Sequence, residues 1–188
     1  MKLSIILLAA GLSERMGEDK LLMEYNNDTL LQRAVNLLCE LDVYEKLRVT
    51  TAQRQSKVTL PHGIKTIINP DPGRGISSSI KIAVENSSGT HYMFMAADQP
   101  ELTAEDIKPI IDVARNNTGK IIYPVANCEP LMPSIFPQTL RTELLELTGD
   151  TGGRALREKN PQLCFEVQVK NKKNFNDIDT LEEFYAIN

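Results

Sequence analysis

The chain has 188 residues, 41% apolar and 24% charged, enough for one α/β domain around a single core and tight for two. A net charge of −4, no Trp, five Tyr and five Phe argue against the basic stripe and base-stacking platform of a nucleic-acid binder. The cysteines Cys39, Cys128 and Cys164 are odd in number and far apart, so a reduced protein without a disulfide framework is expected. Neither His62 nor His91 stands at zinc spacing to them.

Short apolar runs alternate with longer amphipathic ones. Leu3–Ala9 is broken only by Ser4, as in a central parallel strand covered on both faces. The run is short and passes into the charged Gly11-Leu12-Ser13-Glu14-Arg15, with no small-residue cleavage site. No segment nears 18 apolar residues, so a soluble, cytoplasmic protein with no membrane partner is expected. Residues 29–41 carry Leu30, Leu31, Ala34, Val35, Leu37, Leu38 and Leu41 at helical spacing. Residues 47–51 and 64–68 read as strands. Residues 77–85 read as a helix with Ile76, Ile80, Ala83 and Val84 on one face, and 91–96 as a strand. Residues 103–116 form a helix opened by the capping-box pattern Thr103-Ala104-Glu105-Asp106, with Pro109 predicting a kink or a late start. A strand follows at 121–125, then a proline-rich excursion over 124–137 expected to be a loop. Helices at 139–147 and 153–159, a strand at 163–169 and a helix at 180–187 close the pattern. This alternation predicts one α/β domain: a single doubly wound, mostly parallel sheet with helices on both faces. Ligands bind outside the carboxyl ends of such strands.

The first strand runs into Leu8-Ala9-Ala10-Gly11-Leu12-Ser13-Glu14-Arg15-Met16-Gly17-Glu18-Asp19-Lys20. Small residues let backbone N–H groups approach a phosphate, and Arg15 and Lys20 bring positive charge. Neither the Walker A pattern nor G-x-G-x-x-G fits. By residue chemistry alone, a glycine-rich turn with solvated charges is the favoured reading. The strand at 91–96 ends in Ala97-Asp98-Gln99-Pro100, where Asp98 suits a hard cation or a turn cap. Asn69-Pro70-Asp71-Pro72-Gly73-Arg74-Gly75-Ile76-Ser77-Ser78-Ser79 enters a helix and suits an anion or ribose, with Ser77 as plain N-cap the other possibility. Thr148-Gly149-Asp150-Thr151-Gly152-Gly153-Arg154 opens another helix, with Asp150 able to cap it. Asp177 and Asp179 precede the last helix and suit either a metal or its N-cap.

The long first string resembles L-A-A-G-x-S-x-R-M-G-x-x-K, the signature of the nucleotidyltransferase family of the molybdenum cofactor guanylyl- and cytidylyltransferases, and the resemblance extends along essentially the whole chain. It implies that Arg15 and Lys20 hold a triphosphate. It also implies that Leu8, Ala9, Ala10, Gly11, Ser13, Asn69, Gly75, Ser77, Ser79 and Gln99 line the nucleotide, and that Asp98 binds Mg²⁺ with Asp177 or Asp179. Arg15, Lys20 and Asp98 would carry catalysis. The 148–154 segment resembles the family's G-D-x-G-x-R, implying an acceptor side built from Asp150, Gly152 and Arg154. The Ala-Asp-Gln-Pro form at 97–100 resembles the cytidylyl branch and implies CTP, with molybdopterin as acceptor and a molybdenum hydroxylase as recipient. A departure stands at Leu131-Met132-Pro133-Ser134-Ile135-Phe136, where that branch carries G-H-P-x-x-F near the acceptor. Two alternatives stay open: a sugar- or alditol-phosphate nucleotidyltransferase, and a non-catalytic accessory protein of molybdenum hydroxylase maturation.

Overall fold

A computed structural model describes residues 1–12 and 19–187. Strand β1 (Leu3–Ala9) is followed by a small antiparallel hairpin, β2 (Glu24–Tyr25) and β3 (Asp28–Thr29), then α1 (Leu30–Glu40), β4 (Glu45–Thr50) and β5 (Ile64–Ile68). Helix α2 (Ile76–Asn86), β6 (His91–Ala96), α3 (Ala104–Asn116) and β7 (Ile121–Ala126) follow. The chain ends through β8 (Glu129–Pro130), β9 (Ser134–Pro137), α4 (Arg141–Glu146), α5 (Gly153–Lys159), β10 (Cys164–Gln168) and α6 (Leu181–Ile187).

The main sheet runs β10-β7-β9-β6-β1-β4-β5, with β8 paired to β7. Strands β1, β4, β5 and β6 are mutually parallel, as are β7 and β10, while β9 lies antiparallel between β6 and β7. Alternation along β1 builds two cores. Leu3, Ile5, Leu7 and Ala9 pack with α1, α3 and Phe184 of α6; Ile6 packs with α2, α4 and α5 through Ile80, Leu144 and Leu156. The predicted doubly wound, mostly parallel sheet with helices on both faces is therefore what forms.

Helix α1 starts where Thr29 Oγ1 accepts the Gln32 N–H at 3.1 Å, and it buries Leu30, Leu31, Ala34, Val35, Leu37 and Leu38. Thr103 and Asp106 complete a reciprocal capping box on α3. The late start expected from Pro109 does not occur. Pro109 is exposed, so the Glu105 carbonyl it leaves without an N–H donor can turn to water.

Four local expectations are corrected. The 124–137 stretch is not a loop: β8 and β9 lie in it. Pro130 and Pro137 end those strands, and Ser134, Ile135 and Phe136 between are fully buried. Ser77 does not cap α2, because Gly75 holds the N-cap position with no side-chain bond. Asp150 does not cap α5, whose N-cap is Gly152. At α6 the capping hydroxyl is that of Thr180, which accepts the Glu183 N–H at 3.2 Å, while the Glu183 carboxylate accepts from the Asp179 and Thr180 amides.

Candidate active site

The carboxyl ends of β1 and β6 open on a cleft of about 670 Å³. Beyond β1, Ala10, Gly11 and Leu12 form one wall; Gly73, Gly75, Ile76 and Ser79, at the entry to α2, form another. Ala97 and Asp98 extend from β6, and Lys20, Asp177 and Asp179 complete the charged end.

Lys20 opens a short 3₁₀ turn over Lys20–Leu22, capped by the Asp19 carboxylate on the Leu21 N–H. Its Nζ donates to Asp98 Oδ2 at 2.6 Å, to the Ile178 carbonyl at 2.8 Å and to Asp179 Oδ1 at 3.3 Å. Burial would lower its pKa, but Asp98 and Asp179 outweigh that and hold it above the usual lysine value. Lys20 is therefore an ammonium at any physiological pH. A backbone bond from Ile178 N to the Asp98 carbonyl, 3.0 Å, fixes the C-terminal segment against β6. Asp177 is exposed as a residue, yet its carboxyl faces the cleft. There burial first, and the like charges of Asp98 and Asp179 next, push its pKa up to about 7. Among the described residues, the excess of acids over the Lys20 ammonium makes this end of the cleft attractive to a further cation. Among the described residues no three His, Cys, Asp or Glu side chains are disposed to hold a metal ion together.

On the opposite wall the α2 N-terminus is tied to the 148–153 turn by Ser77 N–H donating to the Gly149 carbonyl at 3.2 Å. Gly75 makes that closeness possible. It sits at φ +83°, and a Cβ there would lie 2.4 Å from the Gly149 carbonyl carbon and oxygen, closer than any side chain tolerates. Asn69, buried, donates from Nδ2 to the Ser78 and Ser79 hydroxyls at 2.8 and 3.0 Å and accepts the Asp71 N–H at 3.0 Å.

Leu8, Ala10, Gly11, Lys20, Gly75, Ser79, Asp98, Asp150, Asp177 and Asp179 thus meet in one cleft. Ser13 and Arg15 lie outside the described residues. Ala9, Asn69 and Ser77 are buried behind the wall. Gln99 is buried too; it donates to the Phe175 carbonyl at 2.7 Å and also bonds the Asp177 carboxyl, bracing the C-terminal segment beside the cleft. Gly152 packs near Ile76. Arg154 is well exposed, paired with Glu158 at 2.8 Å, and lines a separate cleft with Tyr123 and Arg157. Met132, from the departing element, is on the main cleft wall.

Sequence patterns missed the apolar wall residues Leu12, Ile76 and Met132, and the buried Arg54. Arg54 lies on the turn just past β4, the strand beside β1. Only the rule that strand ends carry ligands could have flagged it.

The model of the MobA-like NTP transferase domain matches residues 5–163. The chain is 26% identical over 189 residues to the molybdenum cofactor cytidylyltransferase of Escherichia coli (strain K12), covering 95% of this chain and 92% of that protein. It is 25% identical over 205 residues to the "Probable molybdenum cofactor guanylyltransferase" of Pyrococcus horikoshii, with both chains fully covered. It is 24% identical over 195 residues to the nicotine blue oxidoreductase of Paenarthrobacter nicotinovorans, covering 97% and 94%. Among solved structures, Rv0371C of Mycobacterium tuberculosis H37Rv in complex with manganese superposes with a TM-score of 0.81 at 20% identity, covering 100% of this chain and 98% of that one.

Proposed function

The chain belongs to the MobA-like NTP transferase family, and on that premise we propose that it moves CMP from CTP to the terminal phosphate of molybdopterin, releasing pyrophosphate. The observation that carries the proposal is the meeting of Lys20, Asp98 and Asp179 around one ammonium, at the mouth of a cleft walled by Gly11 and Gly75.

In the proposed step an anionic oxygen of the acceptor's phosphate attacks the α-phosphorus of CTP. The bond from that phosphorus to the bridging oxygen breaks, and pyrophosphate leaves with the electron pair. The nucleophile is already deprotonated, so no general base or protein nucleophile is required, and positioning and charge neutralisation supply most of the rate. Lys20 would give its ammonium to phosphate oxygens, and Arg15 would add a guanidinium. Exposed Ile76 and Leu12 offer apolar contact to the nucleoside.

The residues present fit a Mg²⁺ ion. Their donors are hard carboxylate oxygens, and a cation, the Lys20 Nζ, already rests between two of them. Mg²⁺ keeps several waters and takes one or two carboxylates beside substrate phosphates, so a preformed cage of three acids is not needed. Asp98, with Asp177 or Asp179, would hold it, and when bound it would offset charge on the attacking and leaving oxygens. The choice of cytosine is supported by the Ala97-Asp98-Gln99-Pro100 form and by the similarity to the cytidylyltransferase. A molybdenum cofactor acceptor is supported by the names of two relatives; a molybdenum hydroxylase as its recipient is part of the same proposal.

Pyrophosphate release with Mg²⁺ and molybdopterin, comparing CTP, GTP, ATP and UTP, tests the proposal. CTP should be the productive triphosphate, and Asp98→Ala should abolish turnover while the acceptor still binds. Release only with sugar or alditol phosphates would replace the acceptor. Acceptor binding with no release by any triphosphate would favour the accessory role.

A further inference from the structure

Arg54 is 4% exposed and lies on the turn after β4, away from the cleft surface. Its guanidinium nevertheless reaches both flanks of the 13–18 segment, which carries Arg15. Nη1 donates to the Ala9 carbonyl at 3.0 Å and to the Gly11 carbonyl at 2.7 Å, at the point where the chain leaves β1. Nε donates to Asp19 Oδ2 at 2.6 Å. The other oxygen of that carboxylate, Oδ1, accepts the Leu21 N–H at 3.2 Å and so caps the turn on which Lys20 sits. One planar fork thus joins the exit of β1 to the turn that aims the Lys20 ammonium.

The bonds also set peptide orientation. In a trans peptide the C=O and the following N–H point to opposite sides. With the Gly11 carbonyl turned to Arg54, the Leu12 N–H points away from it, and Gly11 and Leu12 are themselves on the cleft wall. A buried guanidinium behind the peptide also polarises it in the sense that strengthens its N–H as an anion donor. Lysine cannot replace this arrangement, because a single ammonium lacks the fixed fork that spans a carboxylate and two carbonyls.

From these contacts we infer that Arg54, acting through Asp19 and the Ala9 and Gly11 carbonyls, is a positioning residue for the triphosphate: it fixes the backbone and the Lys20 turn that receive the phosphates without touching them. The inference rests on the nucleotidyltransferase reading, and its test separates the two. Equilibrium binding of CTP and, in parallel, of inorganic triphosphate is measured for wild type, Arg54→Ala, Arg54→Lys and Asp19→Asn, with thermal unfolding and circular dichroism on each. Folded Arg54→Lys and Asp19→Asn should bind both ligands about tenfold to a hundredfold more weakly, the scale expected when contact groups shift by about 1 Å. Acceptor affinity should not change. Added guanidinium, but not methylammonium, should restore triphosphate affinity to Arg54→Ala; if that variant does not fold, the other two carry the test. Variants of lowered melting temperature that bind both ligands as wild type does overturn the inference and leave Arg54 a purely structural residue. Wild type that binds neither ligand overturns the nucleotidyltransferase reading itself.

Discussion

Lys20 is held by two carboxylates and a carbonyl from segments about eighty and 160 residues away in sequence, so its place depends on the whole fold while its identity was legible in a short motif. The same holds for Asp98. Gln99, its neighbour, has a contact that the motif did not show: its buried side chain donates to the Phe175 carbonyl and braces the C-terminal segment. His91 yields a prediction of a different kind. Its Nε2 lies 2.8 Å from the Thr118 carbonyl, so that nitrogen carries the proton and Nδ1 accepts from the Thr90 hydroxyl at 3.0 Å. Burial first, and the N-terminal ammonium after it, hold the His91 pKa below 6.5 against the opposing pull of the Thr118 carbonyl. The folded state therefore takes up a proton less readily than the unfolded one. His91's contribution is complete above pH 6.5 and is lost as pH falls through the lower folded value. Between about pH 7.5 and about pH 5.5 the urea midpoint of wild type should fall relative to that of His91→Gln, because the opposite contribution of Asp177, raised to about 7, is common to both. Midpoints that change in parallel would remove His91 as the source.

The elements that sequence periodicity reveals are those whose neighbours repeat along the chain. Strand β1 is apolar at every position but Ser4 because both faces are covered, and α1 shows its stripe because one face packs on β1. Strand β9 escaped because its four residues, Ser134–Pro137, are too short for a period and are flanked by prolines that read as breakers. Its burial comes from the non-local pairing of Tyr92 with Phe136 and Ile122 with Ile135. The β2–β3 hairpin escaped for a similar reason: two residues per strand leave no pattern, although Asn26 and Asn27 at φ 51° and 66° are the residues that such a turn favours. The junction of α2 with the 148–153 turn gives a test at this level. Gly75→Ala would place a methyl against the Gly149 backbone and strain a positive φ, costing about 1–3 kcal/mol. Its CTP affinity should fall with its stability, because the cleft wall moves. Gly73→Ala, whose Cβ meets only Asp71 Oδ1 at 3.8 Å, should change stability by no more than about 0.5 kcal/mol. Equal melting temperatures for the two variants would contradict the packing described here.

Across the molecule, the strand-end rule points to the end of the sheet where the cleft opens, beyond β1 and β6 and beside Lys20 and Asp98. What no pattern supplied was which strand-end loops work together. The 148–154 segment illustrates this. Asp150 lines the main cleft, while Arg154, the second residue of α5, lines a second one with Arg157. Assigning both to one acceptor site from sequence joined residues that the fold separates. Arg54 is the opposite case, remote in sequence and joined by the fold to Gly11 and Asp19.

The proposed reaction turns on attack at the α-phosphorus. CTP labelled at either the α- or the γ-phosphorus, followed through one turnover with Mg²⁺ and molybdopterin, tests it. Wild type should put α-label in the acceptor product and γ-label in pyrophosphate, and Asp98→Ala should give neither. Label from the γ-phosphorus in the acceptor, or an unchanged pattern in Asp98→Ala, would contradict it.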